Sequence, residues 1–232
     1  MNFTVKNTTF RSVLDIIYPC YCRGCGKFGE AFCLRCYNYN KALNPPFSRV
    51  LLPDFHKLFV CGLREGVLSD LVSEYKFHSR RQYAPVLASM MADLAFGLSS
   101  DMIIVPLPTI RRHIRSRGFD HIFLLCSELA QLTGFSVVPL LSRKRETVQV
   151  GKSSKIRRFQ AREAFSLNLE AISGYFGRSS LSFSDFLKPI LIVDDVWTTG
   201  ASMKSASFIL RSFGFQKVYG AVLAKNDGYE FS

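Results

Sequence analysis

"PILIVDDVWTTGASM", Pro189 to Met203, decides the fold. Ile190 to Val193 are four consecutive apolar residues. A strand with one wet face would alternate, so this run reads as a strand buried on both faces. Asp194 and Asp195 close it. Successive strand residues point to opposite faces, so the two carboxylates cannot be hydrated alike, and the pair is costly unless it binds something. Val196, Trp197, Thr198, Thr199, Gly200, Ala201 and Ser202 follow, with hydroxyls, a glycine and backbone N–H groups where a helix begins. Helix N-termini attract anions through their unpaired donors and the positive end of their dipole. Phosphate on the loop and hydroxyls, or a metal-bound diol, on the aspartates make a sugar phosphate the matched ligand. The plainer alternative is a threonine-capped helix with the aspartates paired to arginine.

Outward from this stretch, strand and helix patterns alternate. "HKLFVCGL", "DMIIVPLP", "FSVVPL" and "KVYGAVLA" read as strands. "GVLSDLVSEYKF", "YAPVLASMMADLAFGL", "DHIFLLCSELAQLTG" and "SMKSASFILRSFG" read as helices, the last two closed by Gly134 and Gly214. Such alternation predicts an α/β fold with a mostly parallel sheet, whose ligands sit beyond the carboxyl ends of the strands. "GYFGRSSLSFSDFLKP" reads as a loop. "NPPFSRVLLP", with three prolines, reads as a linker over 44–53, separating a cysteine-rich module (1–43) from the main domain (54–232).

The chain has 232 residues, 48% of them hydrophobic, enough for a substantial core. No apolar run reaches the ~18 residues of a membrane span. The N-terminal stretch lacks the features of a signal peptide, so a cytoplasmic location is expected. Thirty Lys and Arg against 18 Asp and Glu leave a formal charge of +12, which attracts polyanions. "PLPTIRRHIRSRGFDHIF" sets Arg111, Arg112, Arg115 and Arg117 after the "MIIV" strand, so they should share one sheet edge with the aspartates and suit a pyrophosphate. "SRKRETVQVGKSSKIRRFQAREAF" adds Arg143, Lys144, Arg145, Lys152, Lys155, Arg157 and Arg158. A run so basic and so poor in aromatics is suited to a phosphate backbone.

Five of the seven cysteines fall between Cys20 and Cys36. Cys22-x-x-Cys25 and Cys33-x-x-Cys36 have the spacing of a tetrahedral four-thiolate site, which suits Zn²⁺. Four thiolates leave no open position, so the metal would be structural. Cys20 is spare and could replace Cys22. Cys61 and Cys126 stand in apolar surroundings and read as core residues.

"ILIVDDVWTTGAS" resembles the phosphoribosyl pyrophosphate (PRPP) signature of type I phosphoribosyltransferases. That resemblance implies that Asp194 and Asp195 address the ribose hydroxyls and that the loop from Trp197 to Ser202 holds the 5-phosphate, with Mg²⁺ accompanying PRPP. With "VPLP" at 105–108, "RGFDH" at 117–121, Arg145, Thr147, Gln149 and "RRFQAREAF", nearly all of the chain resembles the ComF family (competence protein F, ComFC and the GntX proteins). Asp120, His121 and Gln160 stand where Asn, Gln and Asn are usual. Lys76 in "EYKFHSRR" matches a family lysine and is a phosphate-site candidate, beside Arg111, Arg115 and Arg117.

The resemblance implies a type I phosphoribosyltransferase-like fold with an N-terminal zinc module. It implies single-stranded DNA as a partner, together with other competence proteins such as a DNA-translocating helicase. Two other functions share these features: an active phosphoribosyltransferase of nucleotide salvage, and a PRPP-sensing regulator. No acceptor-base pocket is legible.

Overall fold

The computed structural model describes residues 20–95, 98–144, 164–177 and 181–228. The run Ile190–Val193 sits inside strand β7 (Ile190–Trp197), in a six-stranded sheet of order β1-β2-β8-β7-β3-β4. The other strands are β1 (Phe47–Leu52), β2 (Phe55–Val60), β3 (Ile103–Pro106), β4 (Ser136–Val137) and β8 (Val218–Lys225). Only β1 runs antiparallel to its neighbour; the other pairings are parallel. A separate antiparallel ribbon joins β5 (Leu141–Arg143) to β6 (Phe165–Leu167).

Helices cover both faces, which is why the central strands are apolar throughout. On one face lie α2 (Gly66–Phe77), α3 (Ala84–Ala95) and α5 (His121–Thr133). In α2, Leu68, Leu71, Val72 and Tyr75 are buried, the i, i+3, i+4, i+7 spacing of one helical stripe. They pack with Phe59, Ile104, Leu191, Val193 and Leu223. On the opposite face, α6 (Leu169–Phe176) and α8 (Ala201–Phe213) set Ile172, Met203, Ala206 and Leu210 against Leu58, Ile103, Ile190, Ile192 and Val222. Three further helices are α1 (Leu34–Leu43), α4 (Arg111–Arg117) and α7 (Phe183–Leu187).

Three stretches differ from the sequence expectation. The stretch read as a linker carries β1, paired residue by residue with β2. Its prolines, Pro45, Pro46 and Pro53, flank the strand, and β1 is an edge strand, where proline is tolerated. The stretch read as a loop after Gly174 holds the end of α6 and all of α7, started by a capping box of Ser182 and Asp185. Trp197, read as part of the phosphate loop, ends β7. It is buried and packs edge-on against Phe55. Its indole occupies the space where a Cβ on Gly200 would go, and Gly200 has φ 72°. Glycine is therefore required there on two counts.

The cysteine-rich segment is not a satellite. Cys22, Phe32 and Cys33 belong to the same core as Phe59, Leu68 and Leu87. Tyr37 and Lys41 of α1 both bond Asp93 Oδ2 on α3, at 2.8 and 2.6 Å. Arg23 pairs with Asp70 on α2 at 3.1 Å.

Candidate functional site

Strand β3 ends opposite Val193, and Leu107 N–H donates to Val193 O at 3.0 Å. Beyond that point β7 continues beside β8 alone, up to Trp197 opposite Lys225. The aspartates therefore begin where β3 stops, at the carboxyl edge where open α/β sheets place ligands. Thr198 and Thr199 are exposed, and Gly200 precedes α8 with no side-chain cap. Thr199 Oγ1 accepts from Ala201 N–H at 3.4 Å. Ala201 and Ser202 form the first turn of α8, and Val196 is half-buried in the strand. The loop proper is thus Thr198 to Gly200.

The aspartates are unlike, as alternation requires. Asp194 is half-buried, whereas Asp195 is only 3% exposed. Lys76 Nζ lies 2.6 Å and His121 Nε2 3.0 Å from the same Asp195 oxygen, Oδ2. His121 Nδ1 in turn faces Arg117 Nη1 at 2.9 Å. Arginine only donates, so Nδ1 accepts and Nε2 carries the proton that His121 donates to Asp195. Tyr75 O–H donates to His121 O at 2.5 Å, fixing the backbone beneath the ring. Burial alone would raise the Asp195 carboxyl, but the His121 hydrogen bond and the Lys76 charge hold it well below the usual carboxylate range. Asp194 is pushed up to about 8, first by burial and then by the neighbouring Asp195 carboxylate.

Four sequence candidates meet here: Asp194, Asp195, Lys76 and Arg117. Lys76 lies in the last turn of α2, and Arg117 ends α4. Arg111, Arg112 and Arg115 are exposed on α4. In the sequence, His121 is only a departure from the glutamine of the resembled family. Glutamine also offers one donor and one acceptor, so neutral histidine can fill the same relay between Arg117 and Asp195. Asp120, the other departure, is the N-cap of α5 and accepts from Ile122 and Phe123 N–H at 3.1 and 3.2 Å.

Of the basic segment, Arg143 and Lys144 are described. Arg143 stacks on Phe165 at 5.3 Å and sends Nη1 toward Pro108 O at 3.4 Å, so its fork is used within the fold; Lys144 is exposed. Arg145, Lys152, Lys155, Arg157 and Arg158 lie outside the described residues, as do Thr147, Gln149 and all of "RRFQAREAF" except Ala164 and Phe165. Arg143 pairs with Phe165, so the two ends of that segment are neighbours. The contact with Pro108, just past β3, roots them at the sheet's carboxyl edge.

The second cluster is cysteine. The sulfurs of Cys22, Cys25, Cys33 and Cys36 all lie within 4.8 Å of one another, and Cys25 Sγ is 3.7 Å from Cys33 Sγ. Tetrahedral Zn–S bonds of about 2.3 Å would set sulfurs about 3.8 Å apart. The first knuckle turns through Gly26 at φ 73°, with Gly26 N–H donating to Cys22 O at 2.8 Å. A Cβ on Gly24 would come 2.7 Å from Cys36 Sγ. Burial works against the Cys22 thiolate, yet N–H groups of Cys33, Cys25 and Gly24 hold its pKa down at about 6. Cys36 is pushed up to about 12 by burial and by its cysteine neighbours. Four thiols this close cannot all ionise unaided, and a thiophilic cation removes the conflict. The cluster can therefore hold a metal such as zinc. Cys20 is not part of it; its sulfur faces Gln82 Nε2 at 3.7 Å. Cys61 and Cys126 are buried in the core, as their surroundings implied. Among the described residues, no helix is long and apolar enough to cross a membrane.

No family model matches the chain. Competence protein F of Haemophilus influenzae is 25% identical over 207 residues, which are 85% of this chain and 81% of that protein. Competence protein ComFC of Streptococcus pneumoniae is 25% identical over 152 residues, 65% of this chain and 60% of that protein. DNA utilization protein YhgH of Salmonella typhimurium is 34% identical over 155 residues, 62% of each chain. The shared segments thus span most of the first relative and about three-fifths of the other two. All three similarities support a place for the chain in the ComF/ComFC family.

Proposed function

We propose that this protein handles incoming single-stranded DNA in the cytoplasm during natural transformation, and that the end of β7 binds PRPP or a similar phosphorylated sugar. One observation carries the sugar-phosphate half. Two carboxylates at a strand's carboxyl end are followed, across Thr198–Gly200, by a thirteen-residue helix whose N-terminus has no side-chain cap. Such an end supplies N–H donors for a phosphate. Asp194 stands where sugar hydroxyls would be read, and Lys76 and Arg117 provide cations for a pyrophosphate group. Mg²⁺ accompanying the ligand would offset part of its charge beside Lys76 and Arg117.

The DNA half rests on the charge of +12, the basic stretch from Arg143 to Arg158 and the similarity to competence and DNA utilization proteins. Lys144, Arg145, Lys152, Lys155, Arg157 and Arg158 are the proposed phosphate contacts. Zinc in the four-cysteine cluster is the proposed structural metal, and contact with a DNA-translocating helicase is a further expectation of this role.

Two measurements test the reading. Calorimetry should show PRPP binding with Mg²⁺ present, and a wild type that takes no PRPP removes the sugar-phosphate site. Filter binding of single-stranded DNA should weaken with salt at a log–log slope of roughly −0.7 per neutralised phosphate, and Arg157→Ala with Arg158→Ala should flatten it by about one to one and a half units. An unchanged slope, beside pyrophosphate release when PRPP is offered with nucleobases, would favour the salvage transferase instead.

A further inference from the structure

Strand alternation sets the two aspartates on opposite faces, and the structure gives them different partners. Asp195 is almost wholly buried, and its Oδ2 already receives Lys76 Nζ and His121 Nε2–H. A sugar hydroxyl could reach that oxygen only by displacing a charged and a neutral donor from a site closed to water. Asp194 is half-buried, and its Oδ1 accepts from the backbone N–H of Asp195 at 2.9 Å.

The Asp195 network continues outward into a stitched unit. Lys76 ends α2 and Arg117 ends α4, and the two helix ends are joined beyond the side-chain relay. Ser79 Oγ donates to Arg117 O at 3.1 Å, and Arg81 Nη2 donates to Gly118 O at 2.8 Å. Lys76 Nζ and Arg117 Cζ border the same Phe77 ring, at 5.8 and 6.0 Å from its centroid. Ser79 makes its contact from a left-handed backbone, φ 56°, which is unusual for serine.

We propose that Asp195 is a positioning residue, not a sugar ligand: with His121 it holds Lys76 and Arg117 side by side at the rim of the site, and Asp194 alone reads the sugar hydroxyls. The inference rests on the reading that the end of β7 binds a sugar phosphate. It divides the work of the pair: one carboxylate faces the ligand, and the other is the internal counter-ion that fixes the cations.

Ribose 5-phosphate carries the hydroxyls and the 5-phosphate but no pyrophosphate, so it isolates the sugar contacts. Its affinity is measured by NMR titration of the full chain, beside thermal melting of each variant. At pH 9 Asp194→Asn should weaken it at least about tenfold, the loss expected for a hydrogen bond to a charged group, with melting unchanged or raised. Asp195→Asn should melt earlier yet keep ribose 5-phosphate within about threefold. His121→Leu should behave like Asp195→Asn, and it carries the test if that variant fails to fold. His121→Gln should restore wild-type melting, because glutamine can both accept from Arg117 and donate to Asp195. Equal losses of affinity in Asp194→Asn and Asp195→Asn at unchanged melting temperature would overturn the division of roles. A wild type that binds neither PRPP nor ribose 5-phosphate removes the site itself, an outcome distinct from a site that binds without the split.

Discussion

The cysteine cluster and the aspartate site are built on opposite plans. All four sulfurs come from a span between Cys22 and Cys36, and two short knuckles bring them together. At the aspartate site, Asp195 meets Lys76 and His121, which lie 119 and 74 positions earlier in the chain. The first plan needs only local turns. The second needs a folded sheet with α2, α4 and α5 all docked at one edge. Local sites announce their ligands in sequence spacing, whereas assembled sites announce only the half that lies on one element. The two regions are nonetheless physically continuous, because the cysteine segment shares its core with the helix that carries Lys76.

The largest effect expected from this contrast is loss of the metal. Cys33→Ser with Cys36→Ser should empty the cluster. Structural zinc contributes about 10–16 kcal/mol in isolated zinc-finger peptides at neutral pH. The variant should therefore carry no zinc by elemental analysis and should melt far earlier than wild type. Because Cys22 and Cys33 pack against Phe59 and Leu68, the loss should reach α2 and weaken PRPP binding too. A double variant that still carries one zinc per chain, or one that loses zinc and keeps PRPP affinity, would break the link between the two regions.

Next in size is a pH effect at Asp194. Its carboxyl is held up at about 8, so the fold favours the protonated form. The stabilisation from that proton is fully present below the ordinary carboxylate pKa of about 3.9 and is lost as pH rises through about 8. Binding has the opposite sign if the ionised carboxylate accepts from sugar hydroxyls. Below about 8 the ionised fraction falls tenfold per pH unit, so sugar-phosphate affinity should weaken by up to about tenfold per unit toward acid and level off above pH 8. Asp194→Asn should abolish that dependence and be more stable than wild type at pH 8.5. A flat affinity profile from pH 6 to 9 in the wild type would count against an ionised Asp194 as the sugar's acceptor.

The smallest expected effect concerns a residue near the site that only builds it. Asp120→Ala removes the cap of α5 and should lower stability by about 1 kcal/mol in denaturant unfolding. Asp120→Asn should recover most of that loss, since either side chain caps well. PRPP affinity should hardly change in both. A large loss of affinity at unchanged stability would move Asp120 into the ligand site and blur the distinction between its role and that of Asp194.

Much of this was legible in advance because it depends on short-range pattern. Apolar runs and helical periodicity marked β7 and β8 and the helices α2, α3, α5 and α8 near their observed bounds, since burial on both faces leaves a continuous apolar imprint. The cysteine cluster was legible from spacing alone, with Cys22 inside it and Cys20 outside. Where prolines and serines dominate, the imprint misled. β1 and α7 lie in stretches whose composition suits turns, and they form because an edge strand tolerates flanking prolines and because a capping box starts a short helix. Trp197 reads as part of a polar loop only because its neighbours are polar; its burial depends on Phe55, 142 positions away.

The sequence by itself determined that two carboxylates end a buried strand, that a helix N-terminus follows, and that four cysteines can converge. Each of these is a property of adjacent residues and of backbone geometry. Only the tertiary structure decided which of the two carboxylates is buried and paired. Lys76 and His121 come from helices packed on one face of the sheet, so Asp195, which points to that face, is buried and held as an anion. Asp194 points the other way and is left half-buried with a raised pKa. Which of two neighbouring charges is neutralised inside a fold depends on which face its partners occupy, and no local pattern carries that information.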